Sequence, residues 1–362
     1  MKFIDEFRNT KVAQNIVKTI HEKAGNDKMT FMEVCGTHTM AIGRNGIRRL
    51  LPDSITLISG PGCPVCVTPN ETIDRAIALV RKPDVIITTF GDMIKVPGSS
   101  SSLREEHAHG GDVRVVTSTL EALTIARKNP DKRVIFLGIG FETTVPTVAA
   151  SLIEAKNLRL KNYFVLSAHK VMPPAMESLS RGDVKIDGYL CPGHVSTIIG
   201  SKPYEPLAKQ YGIACVIAGF EPLDILQSIL MLVKQVKEKK PSVEIQYSRV
   251  VKPEGNPKAQ AVIRQVFEPC DSEWRGLGSI PGSGLKIRDE FSSFDAEIQI
   301  PVEVEPTKEP KGCLCGEVLQ GKVKPSQCGY FGKECTPDAP IGPCMVSSEG
   351  TCAAYYRYNL AS

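Results

Sequence analysis

Three stretches of this chain combine soft or ionisable side chains with backbone-shaping glycine and proline: "EVCGTHT" (33–39), "GPGCPVC" (60–66) and "CPGHVST" (191–197). Cys63 and Cys66 have the two-residue spacing that lets both sulfurs face one metal ion or close into a strained, easily reduced disulfide. Pro61 and the flanking glycines bring the backbone close and fix its path. The "TPNETIDRA" that follows starts a helix, whose positive N-terminal end lowers the pKa of a nearby thiol. A CxxC alone also suits structural zinc or a shaped turn. Cys35 adds a third thiol, with His38 three residues on, and three soft ligands with an open position suit Fe(II), Cu(I) or Zn(II).

A second group of thiols lies near the C-terminus, where Cys313, Cys315, Cys328, Cys335, Cys344 and Cys352 make up half of the 12 cysteines. Their gaps of one, twelve, six, eight and seven residues contain no pair of CxxC knuckles, which argues against a zinc ribbon. Wide spacing with "CGYFGKEC" and "GPCMVSSEGTC" fits an iron–sulfur cluster held by four thiolates from separate loops. Spacing alone does not choose the four. Cys315 and Cys344 read either as buried bystanders or as a redox pair beside the cluster, with the bystander reading favoured for Cys315.

The elements that must position these residues alternate short β-branched runs with longer amphipathic segments, the pattern of βα units around a mostly parallel sheet. Strands are predicted at "SITLIS", "DVIITTF", "VRVVTS", "RVIFLGI", "YFVLSA", "DGYLCP" and "IACVIAG". Helices are predicted over 71–82, 118–128, 144–157 and 222–240. Seven strands are many for one small sheet, so the chain divides into two α/β domains, 1–122 and 123–245. Residues 246–362 then form a Pro- and Gly-rich connecting segment, read as loops with few strands, and the cysteine-bearing C-terminal module.

In open parallel sheets ligands bind beyond the carboxyl ends of the strands. The loops carrying Cys35, Cys63, Asp92, Glu142, His169 and His194 all follow predicted apolar runs, which implies a cleft lined by thiols, imidazoles and carboxylates. Taken singly, each has a plainer reading: His169 and His194 as satisfied polar residues at strand ends, Asp92 and Glu142 as loop carboxylates or helix caps. Together they exceed what packing requires. "GIGFET" lacks the full dinucleotide fingerprint, no Walker A loop occurs, and no Ser-His-Asp set is evident.

Composition narrows the classes. With 362 residues and 42% hydrophobic content the chain can bury sizeable cores. The 44 basic and 40 acidic residues leave only +4, without a basic run interleaved with aromatics, so nothing singles out nucleic acid. The charged "MKFIDEFRNTKVAQ" is no signal peptide, and no stretch reaches the roughly 18 apolar residues of a membrane span, so a cytoplasmic protein is expected. In a reducing cytoplasm, 12 cysteines point to metal binding or redox chemistry rather than structural disulfides.

The set "CGTHT", "GPGCPVC", "FGDM", "GFETT", "CPGHVS" and the ladder Cys-x14-Cys-x6-Cys-x16-Cys ending in "SSEGTCAAYY" resembles the HypD family of hydrogenase maturation factors, from about residue 30 to the C-terminus. The resemblance implies two Rossmann-like α/β domains around a central cleft, plus a small C-terminal domain whose 4Fe–4S cluster is held by Cys313, Cys328, Cys335 and Cys352. It implies a role in assembling the Fe(CN)2CO unit of nickel–iron hydrogenases. A HypC-like chaperone shares the mononuclear iron, and a HypE-like donor brings cyanide as a thiocyanate. Cys35 matches the family's iron-ligating thiol, and Cys63 and Cys66 match a pair implicated in iron binding or redox exchange. Releasing cyanide from thiocyanate takes two electrons, which a dithiol can supply, whereas a cluster supplies one at a time. On this reading Cys63 and Cys66 deliver the electrons or complete the iron site, the cluster recharges them, and His194 and Glu349 handle protons or support the ligands. Two alternatives stand beside it: a non-catalytic iron scaffold, and a cluster-linked disulfide reductase that binds no extra iron.

Overall fold

The computed structural model describes residues 5–358. All seven predicted strands are present, joined by β1 (Met29–Glu33), so that the α/β part holds β2 (Ile55–Ser59), β3 (Val85–Thr89), β4 (Asp112–Val115), β5 (Arg133–Gly138), β6 (Tyr163–Ser167), β7 (Gly188–Cys191), β8 (Ala214–Ile217) and the short β9 (Val243–Ile245). They form two sheets, both parallel throughout: β2-β1-β7-β8-β9 and β4-β3-β5-β6. The chain starts the first sheet, builds the whole of the second, then returns to complete the first. A linear division at 122/123 therefore runs through the second sheet, between β4 and β5. The sequence could not show this, because a βα unit has the same periodicity whichever sheet it joins.

Strand residues alternate between cores. Ile86 belongs to an outer core under the helices Thr119–Lys128 and Val145–Asn157, whereas its neighbours Val85 and Ile87 face a core shared by both sheets. Phe31 and Met32 divide in the same way, Phe31 toward the helices Thr10–Ala24 and Pro222–Glu238 and Met32 toward the shared core. Cys63, Cys66, Cys315, Cys335, Cys344 and Cys352 lie in that shared core.

Past residue 246 the chain is more regular than expected. A helix Pro257–Val266, capped by Asn256, leads into the antiparallel hairpin β10 (Phe267–Trp274) and β11 (Gly278–Ile287). Pro269, a bulge between Cys270 and Ser272 and five glycines or prolines in β11 and its turn hide this hairpin from a periodicity reading. Residues from Cys313 on form short helices and turns, ending in the helix Thr351–Tyr358. Among the described residues no helix is long and apolar enough to cross a membrane.

Candidate functional site

Each sheet has one point where the strand order reverses, between β1 and β7 in the first and between β3 and β5 in the second. Loops leaving neighbouring strands there run to opposite sides and open a crevice. A cavity of about 430 Å3 spans both points, walled by the loops after β1, β2, β3, β5 and β7 and closed by Ser347–Glu349 from the C-terminal segment. The sixth expected loop, after β6, does not reach it, because β6 is an edge strand beyond the switch point.

Cys35, Cys63, Asp92, His194 and Glu349 all line this cavity. Cys35 is the N-cap of the helix Gly36–Arg44, so its sulfur sits by the first turn, where the backbone N–H groups of Thr37 and His38 favour the thiolate without closing a cap hydrogen bond. Burial and the nearby Glu349 carboxylate outweigh these donors and push the thiol up to about 11. The loop of Cys63 is laid directly against that of Cys35, with the Gly36 amide donating to Gly62 O at 3.0 Å. Thr37 Oγ1 donates to Glu349 Oε1 at 2.6 Å, and Ser347 Oγ to Asp92 Oδ2 at 3.4 Å, so the C-terminal segment is tied to both sheets at the cavity. His194 is exposed on the rim, its ring stacked 4.1 Å from that of Phe220.

Cys66 does not join Cys35 and Cys63 on the cavity wall. It sits in the helix Pro64–Val67, fully buried, where its thiol donates to Pro343 O at 3.8 Å, the carbonyl of the residue before Cys344. Gly342, two residues before Cys344, lies against the sulfurs of both Cys315 and Cys313, and Gly350, two residues before Cys352, lies against the Cys344 backbone. Thiols buried in one core thus extend from the cavity wall at Cys63 to the C-terminal segment. Cys313, Cys328, Cys335 and Cys352 share one small apolar cavity with Cys315, so Cys315 is no remote bystander, while Cys344 stands between this cavity and Cys66. Burial raises the Cys66 and Cys335 thiols, and the Cys315 sulfur raises Cys313. Among the described residues no three Cys, His, Asp or Glu side chains are grouped as ligands of a single metal ion. The donor set nonetheless fits an iron–sulfur cluster: four thiols from separate turns, with apolar Leu314, Val318, Phe331, Ile341 and Met345 between them.

Several sequence candidates lie elsewhere. His38 is buried behind Cys35; its Nε2 donates to the carbonyls of Ala218 and Gly219 while its Nδ1 has no partner, and burial lowers its pKa to about 4. It is a neutral packing imidazole, its ring centroid 4.8 Å from that of Phe220. His169, held down to about 3 by burial, packs on Phe267 outside the cavity. Glu142 is buried, its Oε1 accepting from Met172 N at 3.0 Å at the start of the helix Met172–Ser180. Sequence reasoning missed Thr37 and Phe220. Thr37 lies inside "CGTHT", and a strand-end "AGFEP" after β8 was the available signal for Phe220.

The family model described as "HypD: Hydrogenase formation hypA family" matches residues 11–359. The chain is 48% identical over 367 residues to the hydrogenase expression/formation protein HupD of Azotobacter chroococcum, covering 99% of this chain and 97% of the relative. It is 46% identical over 368 residues, with the same coverage, to the hydrogenase maturation factors HypD2 of Bradyrhizobium diazoefficiens and HypD of Cupriavidus necator. The strand-end motifs that meet at the two switch points, the matched length and these identities lead to one conclusion: the chain belongs to the HypD family of hydrogenase formation proteins.

Proposed function

We propose that this chain acts in nickel–iron hydrogenase maturation. In this role it carries an iron ion in its central cavity together with a HypC-like chaperone and supports reductive transfer of cyanide from a HypE-like donor. The observation that carries the reading is the run of thiols buried in one core, from Cys63 on the cavity wall through Cys66, whose thiol donates to Pro343 O beside Cys344, to the C-terminal cysteines. The iron is cargo, and Cys35 is its thiol ligand from this chain. A thiol held near 11 gives up its proton only to a strongly attracting cation, and Glu349 stands beside it to accept that proton. His194 on the rim serves protons on the opposite wall.

Cyanide release balances with this chain's dithiol. The donor's S–CN bond breaks, an S–S bond forms between Cys63 and Cys66, the donor sulfur takes one proton, and the other leaves with cyanide. Cys344, next to the Pro343 carbonyl that accepts from the Cys66 thiol, is the thiol assigned to open that disulfide again at Cys66. Cys313, Cys328, Cys335 and Cys352 would hold a 4Fe–4S cluster, which when bound supplies electrons one at a time. All twelve thiols are free, which suits a reducing cytoplasm.

The test is Cys63→Ala and Cys66→Ala, each produced anaerobically with the partner proteins and examined by infrared spectroscopy in the cyanide and carbonyl stretching region. Loss of cyanide bands from iron that is still bound is the expected result. Cyanide arriving at the normal rate in both variants would eliminate the redox role and leave a scaffold.

A further inference from the structure

The turn of the β10–β11 hairpin, residues 274–278, reaches three segments that the proposed thiol exchange needs in register, and none of its residues has a role in the function described so far. Arg275 is its centre. The side chain is 4% exposed, and every nitrogen of its guanidinium is engaged. Nε donates to Thr68 O at 2.9 Å, one terminal nitrogen donates to Asn70 Oδ1, and the other to Glu309 Oε2 at 2.8 Å. The Arg275 amide donates to Val67 O at 2.8 Å, the residue next to Cys66. Asn70 completes the link by donating through Nδ2 to Lys308 O at 2.7 Å. One buried fork therefore grips the exit of the Cys63–Cys66 loop and the strand of chain that leads into Cys313.

The same turn touches the far side of the thiol cluster and the cavity wall. Gln320 Nε2 donates to Gly276 O at 2.5 Å, and a Cβ on Gly276 would fall 2.4 Å from Gly316 Cα, so the turn lies flush on the helix Cys315–Leu319. Trp274 stacks 5.9 Å from Phe141, which lines the cavity. A planar, permanently charged fork bound to three acceptors in fixed directions defines distance and angle in a way that a flexible ammonium cannot.

We propose that Arg275 is a positioning residue for thiol exchange: its fork sets the separation between Cys66 and Cys344 by locking the CxxC exit to the approach of the C-terminal thiols. This rests on the reading that Cys66 and Cys344 exchange. Sulfur–sulfur attack needs close, aligned approach, so a small displacement of the Cys66 helix suppresses it while leaving the intraloop pair Cys63–Cys66 free to react.

The experiment treats the anaerobically purified full-length protein, wild type, R275K and R275M, with the azo oxidant diamide, which takes two electrons and two protons from each dithiol. Peptide mapping then gives the ratio of Cys66–Cys344 to Cys63–Cys66 disulfide, alongside iron and sulfide content and the thermal unfolding midpoint. The expected result is a ratio at least about tenfold lower in both variants, with Cys63–Cys66 closure retained. R275K keeps the charge and loses the fork, so it still decides the matter if R275M does not fold. A wild-type ratio in R275K overturns the positioning role while the exchange reading stands. Absence of any Cys66–Cys344 disulfide in the wild type overturns the exchange reading itself. A fall in both disulfides together, tracking a lower unfolding midpoint, reduces Arg275 to a structural residue and overturns the proposal.

Discussion

Burial raises the Glu142 carboxyl from its ordinary 4.5 to about 7, and the Met172 amide it accepts from only partly offsets that shift. A folded-state pKa above the unfolded one means that the native protein holds the extra proton more tightly. The resulting stabilisation is whole below about pH 4.5 and is lost as the pH rises through about 7, an effect of about 3 kcal/mol for this shift. Glu142→Gln keeps an oxygen for Met172 and removes the titration. Denaturant unfolding at about pH 5 and about pH 8 is expected to show a decline in the wild type that is flattened in E142Q by about that amount. Equal declines would show that the carboxyl is not buried as described. "GFETT" marks Glu142 as a strand-end carboxylate as readily as "FGDM" marks Asp92, yet only Asp92 reaches the cavity. Phe141 and Thr143 both line it, so the side chain between them is directed away. Residue type was legible in the sequence; the facing of one residue within an irregular loop was not.

The CxxC loop functions as an element because it is pressed against its neighbour. An added Cβ at Gly62 would lie 2.4 to 2.6 Å from the backbone N, Cα and C of Cys35, atoms that cannot rotate aside. Gly62→Ala is therefore expected to cost about 1–3 kcal/mol, as overpacking does, and to push the two loops apart. Calorimetry is expected to show a fall in the unfolding midpoint of roughly 1–2 °C per kcal/mol for a chain of this length. Timed alkylation with mass mapping is expected to show faster labelling of Cys35, which is 7% exposed in the native fold. Gly91→Ala is the control on the same cavity, since its Cβ would meet only Val115 Cγ1, at 3.6 Å. Equal behaviour of the two variants would contradict the contact. Strands and helices with strong periodicity were readable: Ser118 caps the helix Thr119–Lys128 where a start was expected, and Pro222–Glu238 ends within two residues of its predicted limit. The hairpin was not, since its outward charges, Pro269 and glycines break the alternation that marks a strand.

At the scale of the whole molecule, the cavity exists because the chain interleaves its two sheets. β1 and β2 wait for β7 and β8 from more than 120 residues later, and the second sheet is built in between. The motifs that meet at the cavity were all visible in the sequence, but their meeting depends on the crossover order, which no local pattern encodes. Division at residue 122 leaves β3 without β5, with which it pairs from Val85↔Arg133 to Thr88↔Phe136, and β1 without β7. Both sheets then expose unpaired edges and the faces of the shared core, to which fragment 1–122 contributes Val85 and Ile87 and fragment 123–362 contributes Ile135 and Tyr189. Fragments 1–122 and 123–362 expressed separately are therefore expected to lack a cooperative thermal transition. Co-expressed, they are expected to associate and recover one, because the break falls in the helix Thr119–Lys128 and leaves every strand whole, while the buried Ala122 and Leu123 on its two sides rejoin one core. A sharp transition in fragment 1–122 alone would show that the first four strands form a self-sufficient unit, and the cavity would then be a contact between independent domains rather than a product of the interleaved chain.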